Sequence, residues 1–249
     1  MKQLDCNSVS CKLFLMSNSR AKTEHHFKQS AALRDLVIGM SDGLTVPFAL
    51  AAGLSAAVHS NSIVIVAGIA EIVAGSISMG LGGYLAGRTE IEHYQSERKR
   101  ELLEIERVPE TEKQEVREVF EGYGLSPEAQ EMIVRELSND KDLWADFMMR
   151  FELGLERPAQ NQASLSAMRI GFSYAVGGII PLSAYGFTPD PRSGLIASSI
   201  ITACSLLAFG FLKSKVTAQN PWIGALRVFS IGALAAFAAF LIARLVSGA

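Results

Sequence analysis

Two acids sit where hydrocarbon is expected. Asp42 interrupts the apolar stretch Leu36–Val58, LVIGMSDGLTVPFALAAGLSAAV, and Glu71 interrupts Ser62–Gly87, SIVIVAGIAEIVAGSISMGLGGYLAG. An ionised carboxylate deep in a bilayer costs roughly 2.5–3.5 kcal/mol on insertion scales, so such a residue is expected to face a partner, a cavity or a passing ion. Glu71, Gly75 and Met79 recur at four-residue spacing, which puts a carboxylate, a small residue and a thioether in line on one helix face. A carboxyl group in low dielectric favours its neutral form. It can therefore hold a proton while the site is empty and release it to an arriving divalent cation.

A second set of acids lies outside the apolar stretches. Glu101-x-x-Glu104-Ile105-x-x-Val108 is followed eleven residues later by Glu112-x-x-Glu115-Val116-x-x-Val119. At about 100° per helical residue, each glutamate pair lies beside the Ile and Val residues of the inward stripe, whereas Glu106, Glu118 and Glu121 face away. Inward carboxylates must be protonated, hydrogen-bonded or bound to a cation. Met148, Met149 and Glu152 add thioethers and a further carboxylate on another helix. Oxygen ligands suit divalent cations in general, and thioethers bias the choice toward a transition metal, with Fe²⁺ leading. The competing reading is a four-helix cap whose glutamates pair with Arg98, Arg100, Lys113 and Arg117.

The elements that must position these residues follow from the distribution of apolar sequence. Five runs, about 36–58, 62–87, 168–188, 193–212 and 222–246, are long enough to cross a bilayer core of about 30 Å at about 1.5 Å per helical residue. The chain of 249 residues has 49% hydrophobic content and a formal net charge of −2, and 30 of its 48 charged residues fall between Arg88 and Arg157. The expected fold is therefore all-α and polytopic: five transmembrane helices, with a cytosolic helical metal-binding domain between helices 2 and 3. Its boundaries are a tail at 1–30, helices 1–2 at 31–87, the insert at 88–167 and helices 3–5 at 168–249. Lysine and arginine placement puts the N-terminus and the insert in the cytosol and the C-terminus across the membrane.

Within that frame, Gly39 and Gly43 form a GxxxG for close helix approach, and Pro47 is expected to disturb the first helix. Pro109 ends the helix that leaves the membrane, Ser126-Pro127 starts another, and Asn139 or Asp140 caps one running to about Glu156. Arg169 reads as an interfacial anchor, and Arg227 and Arg244 as snorkelling residues. Residues 1–30 read as a disordered tail, in which His25-His26 is a weak metal candidate. Cys6, Cys11 and Cys204 offer no paired spacing for a disulfide or thiolate site.

DGLTVPFALAAGL around Asp42, EIVAGSISMGLGGYLA around Glu71 and Met79, and the glutamate-rich insert together resemble the vacuolar iron transporter family in its plant form, from about Leu33 to the C-terminus. The resemblance implies a five-helix protomer that forms a homodimer in the vacuolar membrane. Its path would lie between the subunits and move Fe²⁺ from cytosol to vacuole in exchange for protons. Asp42, Glu71 and Met79 match residues lining that path. Glu101, Glu104, Glu112, Glu115, Met148, Met149 and Glu152 match those of the cytosolic metal-binding domain, where Zn²⁺ or other divalent cations can replace Fe²⁺. Related nodulin-like members lack the insert. Neither an enzymatic activity, a cofactor nor a nucleic-acid partner is implied; the partners are metal ions, protons and lipid.

Three alternatives stand beside this one. A ferritin-like oxidase or store is weakened because only Glu90-x-x-His93 fits the ExxH pattern of di-iron bundles. A membrane-anchored sensor would bind cations without passing them. A transporter of Mn²⁺ or Zn²⁺ would use the same ligands.

Overall fold

Apolar runs broken by Gly, Pro and polar turns fold as helices throughout. The computed structural model describes residues 31–247 and, among them, contains no strand. The long helices are α1 (Ala31–Ala57), α2 (Asn61–Arg107), α6 (Gln162–Ser183), α7 (Pro191–Val216) and α8 (Pro221–Ser247), with a short 3₁₀ turn at Ala184–Gly186. Between α2 and α6 lie α3 (Pro109–Gly122), α4 (Pro127–Leu137) and α5 (Lys141–Phe151). Among the described residues five helices are long and apolar enough to cross a membrane, as the sequence predicts. The expectations for residues 1–30, including Cys6, Cys11 and His25-His26, lie outside the described residues, as does the side chain of Arg244.

The organising element is α6, which packs along both α1 and α2. Small residues permit that closeness. A Cβ on Gly39 would fall against Ser173 and the Ile170 carbonyl, and one on Gly43 against the Tyr174 backbone. On the other side, a Cβ on Gly171 would stand 2.9 Å from the Ser76 carbonyl of α2. The GxxxG of α1 is therefore consumed inside the protomer, on α6, and is not left free for a second subunit. Helices α7 and α8 pack on each other and close the far side of α1.

Helix α2 is the other structural axis. At 47 residues it is about 70 Å long, more than twice the hydrocarbon thickness, so it carries its register straight out of the membrane into the insert. Pro109 starts α3, and the Ser126 hydroxyl caps α4 by accepting from the Ala129 amide. Asp140 does the same for α5, accepting from the amides of Asp142 and Leu143. The insert has its own core of Ile105, Val116, Val134, Trp144, Ala145 and Met148, with Phe120, Phe147 and Phe151 stacked at 5.3 and 4.8 Å.

Helix α1 is described from Ala31, and Asp35 lies within it, one residue before the apolar run. Two boundaries differ from the sequence reading. Helix α5 stops at Phe151, not near Glu156: the Leu153 and Leu155 amides turn back to the carbonyls of Met148 and Met149, and Gly154 takes a left-handed φ of 65°. Helix α6 begins at Gln162, six residues before the apolar run.

The close α1–α6 contact yields a direct expectation. Gly43→Ala should destabilise the protein by about 1–3 kcal/mol, because the new methyl meets backbone that cannot move aside. Gly82→Ala, where a Cβ meets nothing within 4 Å, should be neutral or stabilising. Thermal unfolding in detergent distinguishes the two.

Candidate functional site

The membrane half of the site is built where α1, α2 and α6 meet. Asp42 on α1 and Glu71 on α2 are both half-buried, and among the described residues neither makes an ion pair with a lysine or arginine. Glu71 is instead held by α6. The Tyr174 hydroxyl donates a short hydrogen bond to Glu71 Oε1, while Oε2 is buried without a partner. Tyr174 is itself only 2% exposed and lies within electrostatic reach of Asp42 as well as Glu71. Its ring fits because Gly75 has no side chain there; a Cβ would stand 2.5 Å from the hydroxyl oxygen. The role of Gly75 in the Glu71-Gly75-Met79 stripe is thus to admit the phenol that binds Glu71.

Tyr174 is not among the residues that charge and spacing single out in the sequence. The available signal was a tyrosine in the middle of a glycine-rich span, away from the interfacial belts that usually hold this residue.

Met79, one turn nearer the insert than Gly75, opens on a cavity of about 530 Å³ whose walls also include Asp35, Ser78, Glu90 and Ser166. Glu90 Oε2 accepts from Gln162 Nε2 at 3.1 Å, and Asp35 is fully buried. The acid of Glu90-x-x-His93 therefore faces a vestibule at the mouth of the membrane helices. It is not in a helical bundle of di-iron type.

The insert half gathers Glu101 from α2, Glu112 and Glu115 from α3, and Glu152 from the end of α5. Each contributes to the electrostatic environment of the others, and Glu104 adds to it. Glu101 and Glu112 are only 2% and 4% exposed, and their carboxyls meet. Two carboxylates cannot meet without a proton between them. Burial, then the hydrogen bond to Glu101 and its charge, push Glu112 up to about 8, so Glu112 holds the shared proton at neutral pH. Burial raises Glu101 too, despite the bond from Glu112. Glu152 is raised by the burial of its inner side and then by Glu115, Glu112 and Glu104. One oxygen each of Glu101 and Glu112 remains buried without a hydrogen bond.

The basic residues that would have turned this cluster into a solvated cap are mostly engaged elsewhere. Arg98 binds Asp142 at 2.6 Å and Asp146 at 3.0 Å, Arg117 binds Glu131 at 2.6 Å, and Lys113 binds Glu110 at 2.7 Å. Arg100 is closest to Glu97, at 2.8 Å, and only grazes Glu104 at 3.8 Å. The two methionines divide: Met148 is part of the apolar core, and Met149 is buried outside that cluster. The acids converge without closing on one point. No group of three or more His, Cys, Asp or Glu among the described residues is arranged to hold a metal ion as it stands. Neighbouring carboxylates repel one another, and a cation placed among them would relieve that repulsion.

Comparison with known proteins extends this picture. The VIT family signature matches residues 33–244. The chain is 50% identical over 224 residues to a vacuolar iron transporter 1 of Arabidopsis thaliana, covering 90% of each chain. It is 48% identical over 223 residues to a vacuolar iron transporter 1 of Tulipa gesneriana, again over 90% of each. A fungal vacuolar iron transporter from Arthroderma benhamiae is 36% identical over 223 residues, 86% of this chain and 79% of its own.

A divalent cation entering this cluster would have to replace the shared proton, which would make its binding pH-dependent in a definite direction. Below about pH 8 a divalent cation must displace the proton on Glu112, so apparent affinity should rise with pH from 6 to 8, by about tenfold per unit for each proton released, and level off above. Glu112→Gln should remove about one proton from that slope. Calorimetry of Zn²⁺ binding in buffers of different ionisation enthalpy measures the count; binding without proton release would contradict the assignment.

Proposed function

The chain belongs to the VIT family, and from that membership and the geometry of its acids we propose that it moves iron across the vacuolar membrane in exchange for protons. It is a multi-pass membrane transporter and not an enzyme. The observation that carries the reading is a pair of acids, Asp42 and Glu71, set within apolar spans beside one tyrosine and without a basic partner among the described residues. A structural acid in a membrane is normally neutralised by a base; one left unpaired is available to a proton or a metal.

In this reading the insert faces the cytosol and collects Fe²⁺ on Glu101, Glu104, Glu112, Glu115 and Glu152, with Met149 and Met148 as soft donors once Met148 turns from the core. The cation then passes to Met79, Asp42 and Glu71. Arrival of two positive charges displaces the proton that keeps an acid neutral in low dielectric. On the lumenal side, acidity reprotonates the carboxylate and expels the metal. Tyr174 keeps Glu71 in place throughout, because its hydroxyl serves either protonation state.

A homodimer fits the same geometry. Asp42, Glu71 and Met79 are each half-buried in the single chain, and a second copy packed on that side would supply the other wall of a closed path. Mn²⁺ and Zn²⁺ share ligand preferences with Fe²⁺ and would compete for the same ligands.

The reading is tested with the full chain in liposomes whose lumen is acidic. Fe²⁺ uptake should exceed that of Mn²⁺ and Zn²⁺, and Asp42→Ala or Glu71→Gln should abolish it. Tyr174→Phe, which removes one hydrogen bond to a carboxylate, should slow uptake by roughly tenfold to a hundredfold. Undiminished uptake in Asp42→Ala would overturn the proposal.

A further inference from the structure

Asp35 has no part in the path described so far, yet it is the most completely enclosed acid among the described residues. It is 0% exposed, and among the described residues neither oxygen has a hydrogen-bond partner. Two guanidiniums approach it, Arg34 Nε at 3.6 Å and Arg169 Nη1 at 3.8 Å, both beyond hydrogen-bonding distance. A structural Asp–Arg pair in such a setting is normally bidentate at about 2.7–2.9 Å, since a buried carboxylate left without donors is costly. Asp35 is held near positive charge and bonded to none of it.

Its surroundings suggest what the free oxygens are for. Asp35 lines the cavity of about 530 Å³ shared with Met79 and Glu90. A cation with about six waters needs on the order of 200 Å³, at about 30 Å³ per water, so a largely hydrated ion fits. Along α2, Met79, Glu90 and Glu101 are each eleven residues apart, three turns, and drift by only about 20° per step. The insert acids, the vestibule and the membrane path thus succeed one another on one face of one helix, at intervals of about 16 Å. Asp35 reaches the middle station from α1.

We propose that Asp35 is the carboxylate that holds a divalent cation in this vestibule between the insert and the membrane path, and that Arg169 is the resident charge the cation displaces. The inference deepens the transport reading and rests on it. Arg169 on α6 neutralises Asp35 while the vestibule is empty, and its long side chain swings aside when a metal enters. Met79 then offers the next ligand toward Asp42.

The test is the concentration dependence of Fe²⁺ uptake by the full chain in inside-acid liposomes, with variants first checked for an unchanged elution profile and unchanged Zn²⁺ binding at the insert. Asp35→Asn should raise KM by about tenfold or more with Vmax little changed, Asp35→Glu should return KM toward the original value, and Arg169→Gln should lower KM as the competing charge is removed. If Asp35 and Arg169 only tie α1 to α6, the Asp35→Asn and Arg169→Gln variants will lose Vmax together. That result, or an unchanged KM in Asp35→Asn, overturns the inference while leaving the transport reading intact. Absence of uptake by the unaltered chain would instead defeat the transport reading, and this inference with it.

Discussion

The structure depends on a constraint of solvation: a carboxylate among hydrocarbon must be given either a donor or a counter-charge. Here Glu71 receives a donor from Tyr174, and among the described residues neither Glu71 nor Asp42 has a basic partner. Tyr174 makes that arrangement tenable by donating to Glu71 from α6, and it can do so only because α6 lies unusually close to α1 and α2. The small residues at Gly39, Gly43, Gly75 and Gly171 are therefore part of the electrostatics as much as of the packing. Larger side chains would move the phenol away from the acid and leave Glu71 without its donor.

The insert applies the same constraint in reverse. Five glutamates are drawn toward one another by a small apolar core, and of the basic residues nearby Arg98, Arg117 and Lys113 are tied to other acids while Arg100 only grazes Glu104. The cluster meets the cost by keeping a proton between Glu101 and Glu112. Both halves of the molecule thus hold an acid in a form that a divalent cation would improve. The 47-residue α2 fixes their relative register without a hinge in the chain.

The sequence disclosed these sites unevenly, for physical reasons. Asp42 and Glu71 were legible because a charge in an apolar run violates the solvent's demands, whatever the tertiary structure. Glu101 and Glu112 were legible because helical periodicity placed them beside Ile105 and Val116, and both are buried. Asp35 was not, because it lies one residue outside the apolar run and beside Arg34, where it reads as an ordinary interfacial charge. Its burial comes from the packing of α6 on α1, which leaves no local mark. Arg169 reads as an interfacial anchor for the same reason. The GxxxG of α1 showed that a helix would come close, but not which helix, and its partner proved to be α6 of the same chain. Met148 is ambiguous in kind, since a buried thioether serves a core as well as a metal.

The central claim is that metal and protons change places on these acids, and the most direct measurement records both at once: lumenal pH and lumenal Fe²⁺ in the same liposomes carrying the full chain. The account predicts that the lumen becomes less acidic in step with Fe²⁺ entering, at a fixed ratio, and that the two signals disappear together in Asp42→Asn. Fe²⁺ entering while lumenal pH stays unchanged would contradict it.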